Sequence, residues 1–334
     1  MEITKGYDFD DVLLIPRESR INSRESVDVS TMLGNTELKI PIIAAPMKGI
    51  VGVDLIIELG KVGGLGILPR FYNDQQERNI DISRLERACT NYGVAVGLKD
   101  TVFMEAMHAG ACVICIDVAN GYIDSVCEFI QTINDYRATH DFNCVIMAGN
   151  VATYEGANKL YKAGAEVIRV GIGSGALCIT RNMTGVGVPQ ITAINDCAYV
   201  PYIKELGTSK NARSEWITIA DGGIRNSGDA VKALAAGGDA VMIGTLFESC
   251  IESDHDGEIR GMASKEHQEQ FYGEVKKSVE GIQRKAAEKI IPLSKFIDKF
   301  IWNMKSAFTY LNAKNIDELH ENAYFTETGK GSIK

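Results

Sequence analysis

Eight short apolar, β-branched runs recur along this 334-residue chain, and that recurrence constrains its fold more than any other feature. They occupy residues 40–45, 64–68, 93–98, 112–118, 144–148, 167–170, 216–220 and 240–243. Most are followed by a stretch with helical spacing, such as 122–136, 154–163, 189–206 and 228–236. Strands that alternate with helices pair in parallel through right-handed crossovers. Eight such units predict an α/β fold, a closed (β/α)8 TIM barrel with eight parallel strands. A doubly wound open sheet is the alternative. The length would suit two average domains, but no linker divides the chain, and one barrel with inserted loops fills it. The whole of 1–334 is therefore read as a single domain. Residues 1–39 precede the first strand. Residues 253–292, polar and punctuated by glycine, follow the eighth, so they emerge on the carboxyl face as a predicted active-site flap.

Composition supports a folded enzyme and excludes several other classes. The chain is 45% hydrophobic and 24% charged, enough for a sizeable core. Its longest apolar runs are too short to span a membrane, and the opening residues lack the apolar stretch of a signal peptide, so a cytoplasmic protein is expected. Acidic residues outnumber basic ones by 44 to 35, with no long basic run, which argues against a nucleic-acid partner. Eight scattered cysteines read as free thiols in a reducing compartment. Cys112 and Cys115 have redox-motif spacing, but on a strand positions i and i+3 face opposite ways. No histidine–cysteine spacing suits a structural zinc.

A barrel collects its chemistry just after each strand. The exits here carry Met47, Arg70, Lys99, Asp117, Gly149-Asn150, a glycine-rich loop from Gly171 to Cys178, Asp221-Gly222-Gly223 and Gly244-Thr245. Turn propensity alone explains the glycines, but not a carboxylate at the apolar exits of both the fourth and seventh strands. Loops after strands seven and eight often hold phosphate through backbone N–H groups. Gly222, Gly223, Gly244 and Thr245 stand at those two places, and a neighbouring Asp221 suits ribose hydroxyls better than phosphate. Cys178 lies in the glycine-rich loop rather than in a strand, where a thiol beside N–H dipoles could act as a nucleophile; a small apolar loop anchor is the equal alternative.

Taken together, Tyr7-Asp8-Phe9-Asp10-Asp11-Val12-Leu13-Leu14, Gly149-Asn150-Val151, the 171–181 loop, 184–190, Ala220-Asp221-Gly222-Gly223 and Arg260-Gly261-Met262 resemble the inosine monophosphate dehydrogenase and guanosine monophosphate reductase family from end to end. The resemblance implies a purine nucleotide substrate, a nicotinamide cofactor, a covalent bond between Cys178 and purine C2, and a homotetramer. It matches Thr180 to the catalytic threonine and Glu280 to its glutamate partner. It assigns Asp221 to the ribose, Gly222, Gly223, Gly244 and Thr245 to the phosphate, and Gly261, Met262 and Ala263 to the base, with Lys277 also on the substrate. Asp117, Ala119, Asn120 and Asn150 match the cofactor side. Backbone carbonyls of Gly173, Gly175 and Cys178 match a potassium site.

The dehydrogenases usually carry paired CBS modules between strands two and three, where this chain has only 69–92. They also need an Arg-Tyr pair in the flap to activate water, and Gln270-Phe271-Tyr272 offers no arginine. The resemblance therefore implies a reductase that converts GMP to IMP and ammonia with NADPH. An IMP dehydrogenase without CBS modules, using NAD, is the alternative, supported by the likeness of 184–193 to bacterial dehydrogenases. A purine-nucleotide-binding protein without turnover is the alternative of another class. Two positions depart from both patterns: Ala176 replaces a phosphate-contacting serine, and Lys48 an acidic residue.

Overall fold

Each of the eight apolar runs becomes a strand, because a parallel sheet covered by helices buries both faces and favours near-continuous apolar sequence. In the computed structural model, which describes residues 3–88, 90–199, 213–275 and 278–329, they are β1 (Ile42–Ala44), β2 (Leu65–Leu68), β3 (Tyr92–Val96), β4 (Val113–Asp117), β5 (Val145–Val151), β6 (Val167–Val170), β7 (Ile217–Asp221) and β8 (Ala240–Ile243). All pair in parallel with their neighbours in chain order, and β8 pairs with β1 to close the barrel. The open-sheet alternative is thereby set aside. The main boundary difference is β5, which runs through Gly149-Asn150 to Val151 with an irregular register against β6.

Side-chain period two sorts each strand into an inner and an outer face. Inward residues, among them Ile43, Ile67, Ala95, Cys115, Met147, Val167, Ile219 and Met242, form one dry cluster inside the barrel. A hairpin, Thr31–Leu33 with Thr36–Leu38, plugs the amino-terminal end by adding Leu33 and Leu38 to that cluster. Outward residues such as Ile114, Ile146, Ile168 and Val241 pack beneath the surrounding helices. The predicted 189–206 helix is observed over Gln190–Ala198, with Pro189 as its N-cap; 200–212 lie outside the described residues.

Residues 253–292 form a hairpin, Glu258–Arg260 with Gln283–Lys285, and a helix, Lys265–Tyr272. Ser264 caps that helix through the N–H of His267. The helix lays His267 and Phe271 against Phe71 at the end of β2. Farther along, Leu293–Tyr310 returns to the barrel wall, and Phe325–Glu327 pairs with Val12–Leu14.

The cysteines of the described residues are all free. Cys112 donates to the Tyr92 carbonyl and packs at the edge of the inner cluster that buries Cys115, and both thiols are free. Burial pushes the Cys112 and Cys144 thiols up to about 11 and Cys115 to about 12, which keeps them protonated and unreactive at neutral pH. Among the described residues, no helix is long and apolar enough to cross a membrane, and no group of His, Cys, Asp and Glu could hold a metal ion.

Candidate active site

The loop after β6 and the insertion after β8 are far apart in sequence but form one ladder. Ile179 N–H donates to the Glu280 carbonyl at 2.8 Å, Ile282 N–H to Leu177 at 3.0 Å, and Gly261 N–H to Ile282 at 2.9 Å. Glu280 N–H reaches the Ala263 carbonyl at 3.1 Å, so the 261–263 segment lies beside the glutamate. This close approach requires glycine: a Cβ on Gly261 would sit 2.8 Å from the Leu177 carbonyl oxygen.

The ladder aligns three side chains. The Cys178 thiol donates to Thr180 Oγ1 at 3.1 Å, and the Thr180 hydroxyl donates to Glu280 Oε2 at 2.8 Å. A thiol proton therefore has a two-step path to a carboxylate, an arrangement suited to a nucleophile paired with a general base. The amino-terminal segment braces this loop. Asp8 accepts from the Arg181 guanidinium at 2.8 Å and from the Gln190 N–H at 2.6 Å, and Arg181 also donates to the Val188 carbonyl.

Beside the thiol, the loops after β7 and β8 offer unclaimed donors. Asp221 and Met242 are register partners on adjacent strands, which brings the two exits together. Gly222 and Gly223 have φ of +92° and +79°, conformations that side chains resist. Among the described residues, the N–H groups of Gly222, Gly223 and Thr245 have no acceptor. Ser174 closes the turn by donating to the Asp221 carbonyl at 2.9 Å.

The two strand-exit carboxylates meet through a residue that the sequence reading passed over. Arg169, inside β6, is only 5% exposed. It donates through Nη1 to Asp117 Oδ1 at 2.8 Å and through Nη2 to Asp221 Oδ2 at 2.8 Å. Asn150 adds a 2.8 Å hydrogen bond to the same Asp221 oxygen and another to the Gly171 carbonyl. Arg70 Nε reaches Asp117 Oδ2 at 3.3 Å. Burial alone would push the Asp117 carboxyl up, but the Arg169 and Arg70 guanidiniums outweigh it and hold that carboxyl below the usual range. The available signal was a charged residue within the apolar run Val167-Ile168-Arg169-Val170, which burial permits only when the charge is paired.

Of the cofactor-side expectations, Asp117 and Asn150 are engaged in this network, whereas Ala119 and Asn120 are exposed beyond β4. Lys277 lies outside the described residues. Lys48 places its ammonium over the Tyr72 ring at 4.3 Å. Among the expected cation carbonyls, that of Gly175 accepts the Cys178 N–H at 3.0 Å, and Arg181 packs against Gly173.

The profile of the IMP dehydrogenase / GMP reductase domain matches residues 6–334. The chain belongs to that family. An inosine-5'-monophosphate dehydrogenase of Streptococcus pyogenes is 31% identical over 483 aligned positions, covering 99% of this chain and 95% of the relative. About 150 of those positions face no residue here. A GMP reductase of Streptococcus equi subsp. zooepidemicus is 33% identical over 330 positions, covering 95% and 94%. An inosine-5'-monophosphate dehydrogenase of Halalkalibacterium halodurans is 39% identical over 260, covering 72% of this chain and 50% of the relative. As a member of the IMP dehydrogenase / GMP reductase family, the chain is an NAD(P)-dependent oxidoreductase acting on a purine nucleotide. The exits of β2 to β4 fit such a cofactor. Arg70 lies over the Phe71 ring at 4.0 Å and gives Nε to Asp117, and among the described residues its Nη groups have no acceptor.

Proposed function

We propose that this family member is a GMP reductase, forming IMP and ammonia with NADPH as its cofactor. The observation that carries the reading is the Cys178–Thr180–Glu280 relay beneath a flap helix that has no arginine. Phe271 precedes Tyr272 in that helix and packs on Phe71, so the helix supplies no guanidinium to activate water for hydrolysis. The GMP reductase relative also aligns without the long unmatched stretch of the dehydrogenase from S. pyogenes.

Free N–H groups of Gly222, Gly223 and Thr245 hold the phosphate, and Asp221 Oδ1, which has no donor among the described residues, accepts ribose hydroxyls. The backbone of Gly261, Met262 and Ala263 holds the base. Cys178 passes its proton through Thr180 to Glu280, and Sγ bonds to purine C2. Glu280, now protonated, returns that proton through Thr180 to the C2 amine, which leaves as ammonia and generates a thioimidate. When bound on the Asp117 side, the nicotinamide cofactor would supply the hydride that C2 takes up. The Cys178 sulfur then departs with its bonding pair and IMP is released.

The test is to incubate the protein with GMP and NADPH while following cofactor absorbance and ammonia together. Stoichiometric loss of one and gain of the other is expected. Absence of both, with rapid IMP oxidation by NAD, would assign the chain to the dehydrogenase reaction. Nucleotide binding without either turnover would make it a binding protein.

A further inference from the structure

We propose that Arg169 is a positioning residue that locks Asp221 and Asp117 into one unit, so that a single buried guanidinium sets the place of both nucleotide and cofactor. The inference rests on the reading above for Asp221, the ribose acceptor, and for Asp117 on the cofactor side.

Register explains why this residue can bridge the two. Asp117 pairs with Gly149 and Gly149 with Arg169, so the three stand in one row across β4, β5 and β6. Arg169 and Asp221 share the inward parity of Val167 and Ile219, which aims both into the top of the barrel. The middle position must be glycine, because a Cβ on Gly149 would lie 2.6 Å from Arg169 Cβ. Over that gap the guanidinium reaches one carboxylate with each Nη, both at 2.8 Å, in the fixed fork that a lysine lacks.

Without Arg169, Asp117 would keep Arg70, but Asp221 would keep only the neutral Asn150 amide. The other groups facing the cluster are the Cys115 thiol, within 3.4 Å of Arg169 Nη1, and His267 from the flap helix. Burial pushes that imidazole down to about 4, so near neutral pH it cannot replace the lost cation. Asp221 would then be held through one neutral hydrogen bond and would be free to turn away from the ribose hydroxyls.

The experiment measures KM for GMP and for NADPH, and kcat, in wild type, Arg169→Met and Arg169→Lys, with GMP affinity by calorimetry. Arg169→Met should raise both KM values about tenfold or more. Arg169→Lys, which keeps the charge but not the fork, should recover part of the affinity. A structural contribution alone would lower the melting temperature and leave the KM values in place, and that result overturns the proposal. If Arg169→Met does not fold, Asp117→Ala decides: it removes a cofactor-side residue and, by freeing one arm of Arg169, should also raise KM for GMP several-fold. An unchanged GMP KM in that variant overturns the bridge. Wild-type protein that binds no GMP overturns the reading of Asp221 and this proposal with it. Wild type that binds GMP beside variants that match it overturns the bridge alone.

Discussion

The lower and upper layers of the barrel interior lie on the same strands, yet they follow opposite rules. Below, Val113, Val145, Met147, Val167 and Ile219 pack as a dry cluster of nondirectional apolar contacts. One step up the same strands, Asp117, Arg169 and Asp221 are joined by charge-assisted hydrogen bonds with fixed geometry. The lower layer tolerates any apolar side chain of the right volume. The upper layer needs each partner, because removing one leaves a buried charge uncompensated. Stability is thus concentrated in one layer, and chemistry in the other and in the loops above it.

The sharpest way to break this division is at the thiol. Cys178→Ala should lower turnover by at least about a thousandfold while leaving the melting temperature and GMP affinity close to wild type. A variant that still turns over would remove the covalent scheme. Met147→Ala acts from the other side: it should cost about 2–5 kcal/mol in urea unfolding, through lost burial and the cavity left behind. Its kcat per folded molecule should not change, and a fall in kcat without loss of stability would show that the layers are not separable. Glu280→Gln should slow turnover by about a hundredfold with GMP binding nearly intact, most visibly in ammonia release. Full activity in that variant would sink the relay.

The smallest effect concerns the flap. His267 is fully buried, neither ring nitrogen has a partner among the described residues, and burial pushes its pKa down to about 4. In the unfolded chain the imidazole titrates at its ordinary value near 6.5. Above that value the ring is neutral in both states, and its contribution is fully present. As pH falls toward 4, the unfolded state takes the proton and the folded state does not, so stability is lost at up to ~1.4 kcal/mol per pH unit. His267→Phe should flatten that slope between pH 6.5 and 4 in equilibrium unfolding; His320, also pushed down to about 4 by burial, should account for part of what remains. An unaltered slope would mean that the imidazole is solvated and the flap does not close over it.

Apolar period and turn chemistry are local properties, so the sequence by itself specified the eight strands, their parallel order and the exits where glycines and carboxylates gather. It also singled out Cys178 as the one cysteine in a glycine-rich loop. Its pairing with Thr180 and Glu280 came from family resemblance, since nothing local relates positions that lie 100 residues apart. Only the tertiary structure put them on one ladder, through backbone hydrogen bonds whose close approach depends on the glycine at 261. Arg169 shows the same limit most plainly. Strand spacing puts its side chain on the inner face, but its meaning depends on which carboxylates stand opposite, and that is decided by the closure of the barrel and by the missing side chain at Gly149. Electrostatic pairing acts across space: a charge inside an apolar run records locally that a partner is needed, but not which residue it is.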